Sequence, residues 1–172
     1  MPTDNKKVSR FSAKHLLDGL RAAAIYLDRY KENINSLNVF PVPDGDTGTN
    51  MFLTMTAVVD GDNWSSDSIS KVTIKSANQA ILGSRGNSGV ILAQFLSGFS
   101  QSLDGIIDCD GITLAKALTH GAHSAYAAVS DPVEGTMLTV LRDLSDAATE
   151  TANKPEPDIV DILQESVSAA HK

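Results

Sequence analysis

Cysteine is almost absent from this chain. The single thiol, Cys109, excludes an internal disulfide framework. It lies between Asp108 and Asp110, and two acidic neighbours raise a thiol pKa, so a nucleophilic cysteine is not expected. Aromatic residues are scarce, at 5%, which favours closely packed helices over a sheet built on aromatic and β-branched side chains. Basic residues are outnumbered, 14 against 21 acidic ones, for a net charge of -7. That balance argues against nucleic-acid binding. A bound polyphosphate would need metal ions or local amide dipoles to offset repulsion. No apolar run is long enough to span a bilayer, and the opening M-P-T-D-N-K-K lacks the apolar core of a signal peptide, so no membrane insertion and a cytoplasmic location are expected. Several known motifs are missing too. Neither glycine loop carries the lysine of a phosphate-binding G-K-[ST] element. No acidic loop has the ligand spacing of an EF-hand. His15, His120, His123 and His171 are scattered. His120 and His123 lie one helical turn apart but lack a third ligand, so no zinc site is expected.

What is present is helical periodicity. With 172 residues and 42% hydrophobic content, the chain can bury a core as one domain, residues 1–172. Leu16, Leu17, Leu20, Ala24 and Leu27 predict a first helix, capped by Ser12 or Ser9 and running to about Tyr30. A second is predicted from Thr49 to Val59, and a third from Ser66 or Asp67 to Gly83. The fourth, Ser88 to Leu103, is apolar nearly all round and predicted to be central. The fifth runs from Thr113 to about Ser130, the sixth from Thr136 to Thr149, and the seventh from Asp158 to Ala170. No strand alternation persists. The expected class is all-α, an antiparallel bundle or barrel of about seven helices.

Three junctions in that scheme are polar and rich in glycine, and each leads into a helix. The first, N-V-F-P-V-P-D-G-D-T-G-T-N-M from Asn38 to Met51, carries Asp44 and Asp46 separated only by Gly45. Pro41 and Pro43 stiffen its approach. Thr47, Gly48, Thr49 and Asn50 follow. Carboxylates, bare amides and hydroxyls suit hard cations and the phosphates they carry. The alternative is that Asp44 and Asp46 merely cap and turn. The second junction, Gly83 to Gly89, offers amides, the Ser84 and Ser88 hydroxyls and the charge of Arg85. Its alternative is an ordinary turn with Ser88 as cap. The third, Glu134 to Thr136, either contacts a nucleotide or caps the sixth helix. Alternate junctions of an up-down bundle share an end, so the three are expected to converge.

Together the three stretches resemble the ATP-binding domain of the dihydroxyacetone kinase family, L-subunit type. The likeness rests on L-N-V-F-P-V-P-D-G-D-T-G-T-N-M (Leu37 to Met51), G-S-R-G-N-S-G-V-I-L-A-Q (Gly83 to Gln94) and P-V-E-G-T-M-L-T-V (Pro132 to Val140). It is most similar to the branch that forms the N-terminal kinase domain of bacterial fatty acid kinases. The resemblance implies a helical barrel with ATP at one end and two Mg²⁺ ions between phosphates and acidic residues. Asp44 and Asp46 match the metal ligands and so would act in catalysis through Mg²⁺. Asn38 matches a position where dihydroxyacetone kinases have a third aspartate and fatty acid kinases an asparagine. Thr47, Gly48, Thr49 and Asn50 match the helix start beneath the phosphates, Ser88 and Gly89 the second phosphate loop, and Thr136 and Met137 the nucleotide-side contacts.

In the fatty acid kinases, ATP phosphorylates the carboxylate of a fatty acid presented by a separate DegV-like binding protein. The resemblance therefore implies that reaction and that partner. Two other functions are open: a dihydroxyacetone (glycerone) kinase subunit, and a non-catalytic nucleotide sensor. Domains of the family continue into an eighth helix, whereas this chain stops after the seventh. It is expected to be truncated, with an exposed groove that invites a homodimer and with doubtful activity alone.

Overall fold

A computed structural model describes residues 8–39, 43–60, 64 and 67–171. Phe40 and Pro41 of the first junction, and Ser66 as a helix start, lie outside the described residues. Within them the architecture is all-α: α1 (Ala13–Ser36), α2 (Thr47–Val59), α3 (Ile69–Gly83), α4 (Gly86–Ser102), α5 (Gly111–Ala127), α6 (Met137–Ala152) and α7 (Ile159–Ala170). Each helix packs on the next, and α1–α3, α2–α4 and α5–α7 contacts cross between them. No helix among the described residues is long and apolar enough to cross a membrane.

The starts follow from side-chain caps. Ser12 accepts from the His15 amide, and the His15 ring reaches back to the Ser12 amide, a reciprocal pair that satisfies two orphan donors. Asp110, Thr136 and Asp158 cap α5, α6 and α7 with their own side chains. Thus α5 starts two residues earlier than predicted, because Asp110 rather than a residue near Thr113 supplies the acceptor, and it ends at Ala127 rather than Ser130. The largest difference is at the end of α1, which runs to Ser36 instead of Tyr30. The segment Lys31 to Ser36 holds two asparagines and a serine, weak helix formers. Contacts with α2 override that preference.

Ile69, Leu103, Leu114, Ile159 and Ile162 are the largest side chains with essentially no exposure, each contributing about 1.5–3 kcal/mol by leaving water. Ile69, Leu103, Leu114 and Ile159 share one cluster with Leu16, Val72 and Phe99. A second cluster, toward the other end of the first four helices, joins Ala24, Met55, Val58, Ala80, Ala93 and Leu96. Helices α4 and α5 approach closely, since a side chain on Gly98 would collide with Ser124 and the His120 carbonyl, and one on Gly121 with Phe95. Helix α4 packs on α2, α3 and α5, as its composition predicts, though Val90 near its start is exposed. On α7, Val160, Leu163 and Val167 form an exposed apolar stripe.

The segment ahead of α1 ties the ends of the series together. Phe11 and Cys109 exchange backbone hydrogen bonds of 2.8 and 3.0 Å, and the Ile159 amide donates to the Val8 carbonyl at 3.3 Å. Cys109 is thereby buried, and burial, more than Asp110, pushes its thiol up to about 11. A thiol reagent at pH 8 is expected to label native protein about 100-fold more slowly than protein unfolded in urea, because the reactive thiolate is rare and covered. Equal rates would contradict this placement.

Candidate functional site

The first junction emerges at the end of α1 and turns directly into α2. Gly45 sits at φ +68°, the left-handed region that a side chain disfavours. Asp44 and Asp46 flank this glycine, and both are exposed. Asn38 Nδ2 donates to Asp44 Oδ1 at 2.6 Å, which fixes one carboxylate. Asp46 stands at the N-cap of α2, yet its side chain makes no capping bond. A purely capping role therefore fails for Asp46, whose carboxylate is left uncommitted to the helix.

The second junction meets the first. Ser88 Oγ donates to the Thr47 carbonyl at 3.3 Å. Arg85, at the N-cap of α4, donates its backbone amide to Thr54 Oγ1 at 3.3 Å, and that hydroxyl donates onward to the Asn50 carbonyl at 2.8 Å. A side chain on Gly86 would collide with the Asn50 amide, and one on Gly89 with Thr54 Oγ1. So the starts of α2 and α4 lie side by side at the same end of the bundle. Gly48 and Gly89 are both buried. Each is a place where helices approach closely, Gly48 against the backbone of Lys31 in α1. Arg85 is exposed, with its guanidinium on the Ser84 carbonyl at 3.1 Å.

The third junction shares the end of the bundle but not these bonds. Leu138 of α6 packs in one cluster with Ile91 and Phe95 of α4, which puts the start of α6 on the side where α4 starts. Among the described residues, no hydrogen bond joins Thr136 or Met137 to the first two junctions. The Thr136 hydroxyl is occupied as a cap: it accepts from the Leu138 amide at 3.3 Å and donates to the Val133 carbonyl at 2.8 Å. Met137 is half-buried. Glu134 gathers Arg142 Nη1 at 2.6 Å, Thr139 Oγ1 at 2.8 Å and the Tyr126 hydroxyl at 3.2 Å. The Thr139 hydrogen bond, ahead of Arg142, holds its carboxyl below the usual range. Arg142 also pairs with Asp143 at 2.9 Å, so its charge is spent within this network.

Two residues with a clear part in this geometry escape sequence reasoning. Thr54 links the two junctions from within the core, and its only signal is a polar side chain one turn after Asn50 in a largely apolar stretch that also holds Thr56. Asn35 bonds to Thr49 from the end of α1. It continues the Leu27–Lys31 row at four-residue spacing, a signal hidden by the weak helix propensity around it.

The donor set limits which cation fits. Among the described residues, no three His, Cys, Asp or Glu side chains group closely enough to hold a metal. Asp44 and Asp46 supply two exposed carboxylates beside the start of α2. That set suits Mg²⁺, which takes one or two carboxylates and completes its shell with phosphate oxygens and water. It does not suit a metal caged by protein alone.

Comparison with known proteins shows the family. The DAK2 domain model matches residues 41–172. Two relatives, uncharacterized proteins of Staphylococcus aureus strains bovine RF122 and USA300, are each 38% identical over 166 residues, 96% of this chain. The chain spans 30% of the length of these relatives. The chain therefore belongs to the DAK2 domain family, a family of dihydroxyacetone kinase-type ATP-binding subunits.

Proposed function

We propose that this chain is the ATP-binding domain of a kinase that phosphorylates a fatty acid carboxylate, and that a separate DegV-like protein presents the acid. The observation that carries the reading is the first junction. It holds two exposed carboxylates, one steered by Asn38 and one free of capping, at the open end of α2. The asparagine at position 38, where dihydroxyacetone kinases have a third aspartate, favours the fatty-acid branch.

The division of labour follows from the chemistry. A carboxylate oxygen of the acid attacks the γ-phosphorus of ATP, the bond from that phosphorus to the bridging oxygen breaks, and ADP leaves with the electron pair. The products are an acyl phosphate and ADP. The nucleophile is already ionised, so no strong general base is required. Positioning and charge neutralisation are the main tasks. Asp44 and Asp46, with Asn38 beside them, would hold Mg²⁺, which supplies neutralisation of the phosphate charge when bound with the nucleotide. The amides at the starts of α2 and α4, apart from that of Thr49, which Asn35 takes, would attract phosphate as donors without intrahelical partners, aided by the helix dipole. Ser88 holds those two starts together.

The test is direct. The chain is incubated with ATP, Mg²⁺ and an oleate-loaded DegV-like protein, and acyl phosphate is trapped with hydroxylamine. ATP-dependent hydroxamate is expected, and none without the carrier protein. If a longer protein containing this domain also forms none, yet phosphorylates dihydroxyacetone with its own partner, the fatty-acid assignment fails. Binding without any transfer would favour the nucleotide sensor.

A further inference from the structure

Asp46 occupies a position where an aspartate ordinarily turns its carboxylate onto the amide of the second or third helical residue. It does not do so here. The amide of Thr49, the third residue of α2, donates instead to Asn35 Oδ1 at 3.1 Å. Asn35 Nδ2 donates to Thr49 Oγ1 at 3.0 Å. One side-chain amide of α1 thus answers both the backbone and the hydroxyl of a residue on α2.

We propose that Asn35 is a positioning residue: it caps α2 in place of Asp46 and so leaves the Asp46 carboxylate available to a cation. The first turn of a helix has amides without intrahelical partners, and any nearby acceptor is drawn to them. A carboxylate that answers this demand is turned in toward the helix and has an oxygen occupied. A neutral amide acceptor from another helix meets the same demand without adding charge. The same turn of chain serves the other carboxylate. The Asn38 amide donates to the Asn35 carbonyl at 3.1 Å, which sets Asn38 just past Asn35, where its side chain reaches Asp44. The end of α1 therefore relieves one carboxylate of capping and steers the other. This also accounts for α1 continuing through a segment of weak helix formers, since a helix ending at Tyr30 would not carry Asn35 to Thr49.

The capping exchange stands independently of any ligand. Only its consequence for cation binding rests on the function proposed above, and the two are tested separately. The first experiment is a double-mutant cycle read by thermal unfolding without nucleotide or metal. With Asn35 present, Asp46→Ala removes no cap. With Asn35→Ala, the Asp46 carboxylate is free to turn in, and Asp46→Ala then removes the substitute. The fall in Tm caused by Asp46→Ala is expected to be larger by roughly 2–4 °C in the Asn35→Ala background, the shift that loss of one cap produces in a domain of this size. The comparison between backgrounds cancels the attraction of Asp46 to the helix dipole. Asn35→Asp keeps the acceptor and is expected to restore the smaller fall. Equal falls in all backgrounds overturn the proposal.

The second experiment is titration with Mg²⁺ and ATP. Asn35→Ala is expected to weaken binding about tenfold in the wild-type background and not at all when Asp46→Asn is already present. Additive losses would mean that Asn35 acts on the fold and not through Asp46. If the wild-type chain binds no nucleotide, the functional reading falls, while the unfolding cycle still decides the exchange of caps.

Discussion

Replacing Gly48 by alanine is expected to destabilise the chain by about 3 kcal/mol, the upper part of the range for overpacking a closed site. Gly48 is buried at the second position of α2. A Cβ there would collide with the carbonyl oxygen, carbonyl carbon and Cα of Lys31. These are backbone atoms of α1, so no rotamer change clears the space, and the two helices would have to move apart. That movement would also pull Asn35 away from Thr49, and it would disturb the Lys31 ammonium, which lies 4.6 Å from the centre of the Phe52 ring. Urea unfolding measures the loss as a lower midpoint with an unchanged slope. Gly19→Ala is the control. Nothing lies within 4 Å of a Cβ at Gly19, and an alanine inside a helix is favoured over glycine by roughly 0.5–1 kcal/mol. A gain at position 19 and a large loss at position 48 would establish that close approach of α1 and α2, and not helix propensity, requires the glycine. Equal small effects would contradict it.

Asp46→Asn is expected to lower affinity for Mg²⁺·ATP by about 100-fold, or about 2.7 kcal/mol at 1.36 kcal/mol per factor of ten. Removing a group that merely orients a metal ligand costs roughly 10–100-fold, and a direct ligand should cost at least the upper end of that range. The Tm should change little, because Asp46 is exposed and makes no capping bond. The combination is the informative part. A large loss of binding with an intact fold identifies a ligand. A large fall in Tm would mean that the residue is structural and that the site assignment is wrong.

The helical plan is legible in the sequence because apolar side chains recur at helical spacing and because cap residues mark several starts. Of the two caps the sequence offers for α1, Ser12 is the one used; Thr136 and Asp158, where the sequence starts α6 and α7, stand at their N-caps, and Gly83 ends α3 as predicted. What does not show is whatever depends on another helix. The end of α1 is misplaced by sequence because its last six residues are held by α2 and not by their own propensity. Thr54 and Asn35 carry no local signal of the bonds they make across helices. Of the three junctions expected to converge, two are joined through Ser88, Thr47, Thr54 and Asn50. The third lies at the same end with its polar groups turned on one another, Thr136 as a cap and Glu134 on Arg142. Glycine spacing is common to all three and cannot distinguish a helix contact from a phosphate contact. At Gly48 and Gly89 the close approach of a neighbouring helix by itself requires a glycine.

The function proposed for the first junction depends on its binding a nucleotide through a cation held by Asp44 and Asp46. Calorimetric titration of the chain with ATP, with Mg²⁺ present and with Mg²⁺ removed by chelation, tests that dependence without any partner. Saturable binding with Mg²⁺ is expected, with loss of most of that affinity once the ion is removed. Binding of equal strength under both conditions would contradict the cation's role, because the phosphates would then be held by helix amides without help from the two carboxylates.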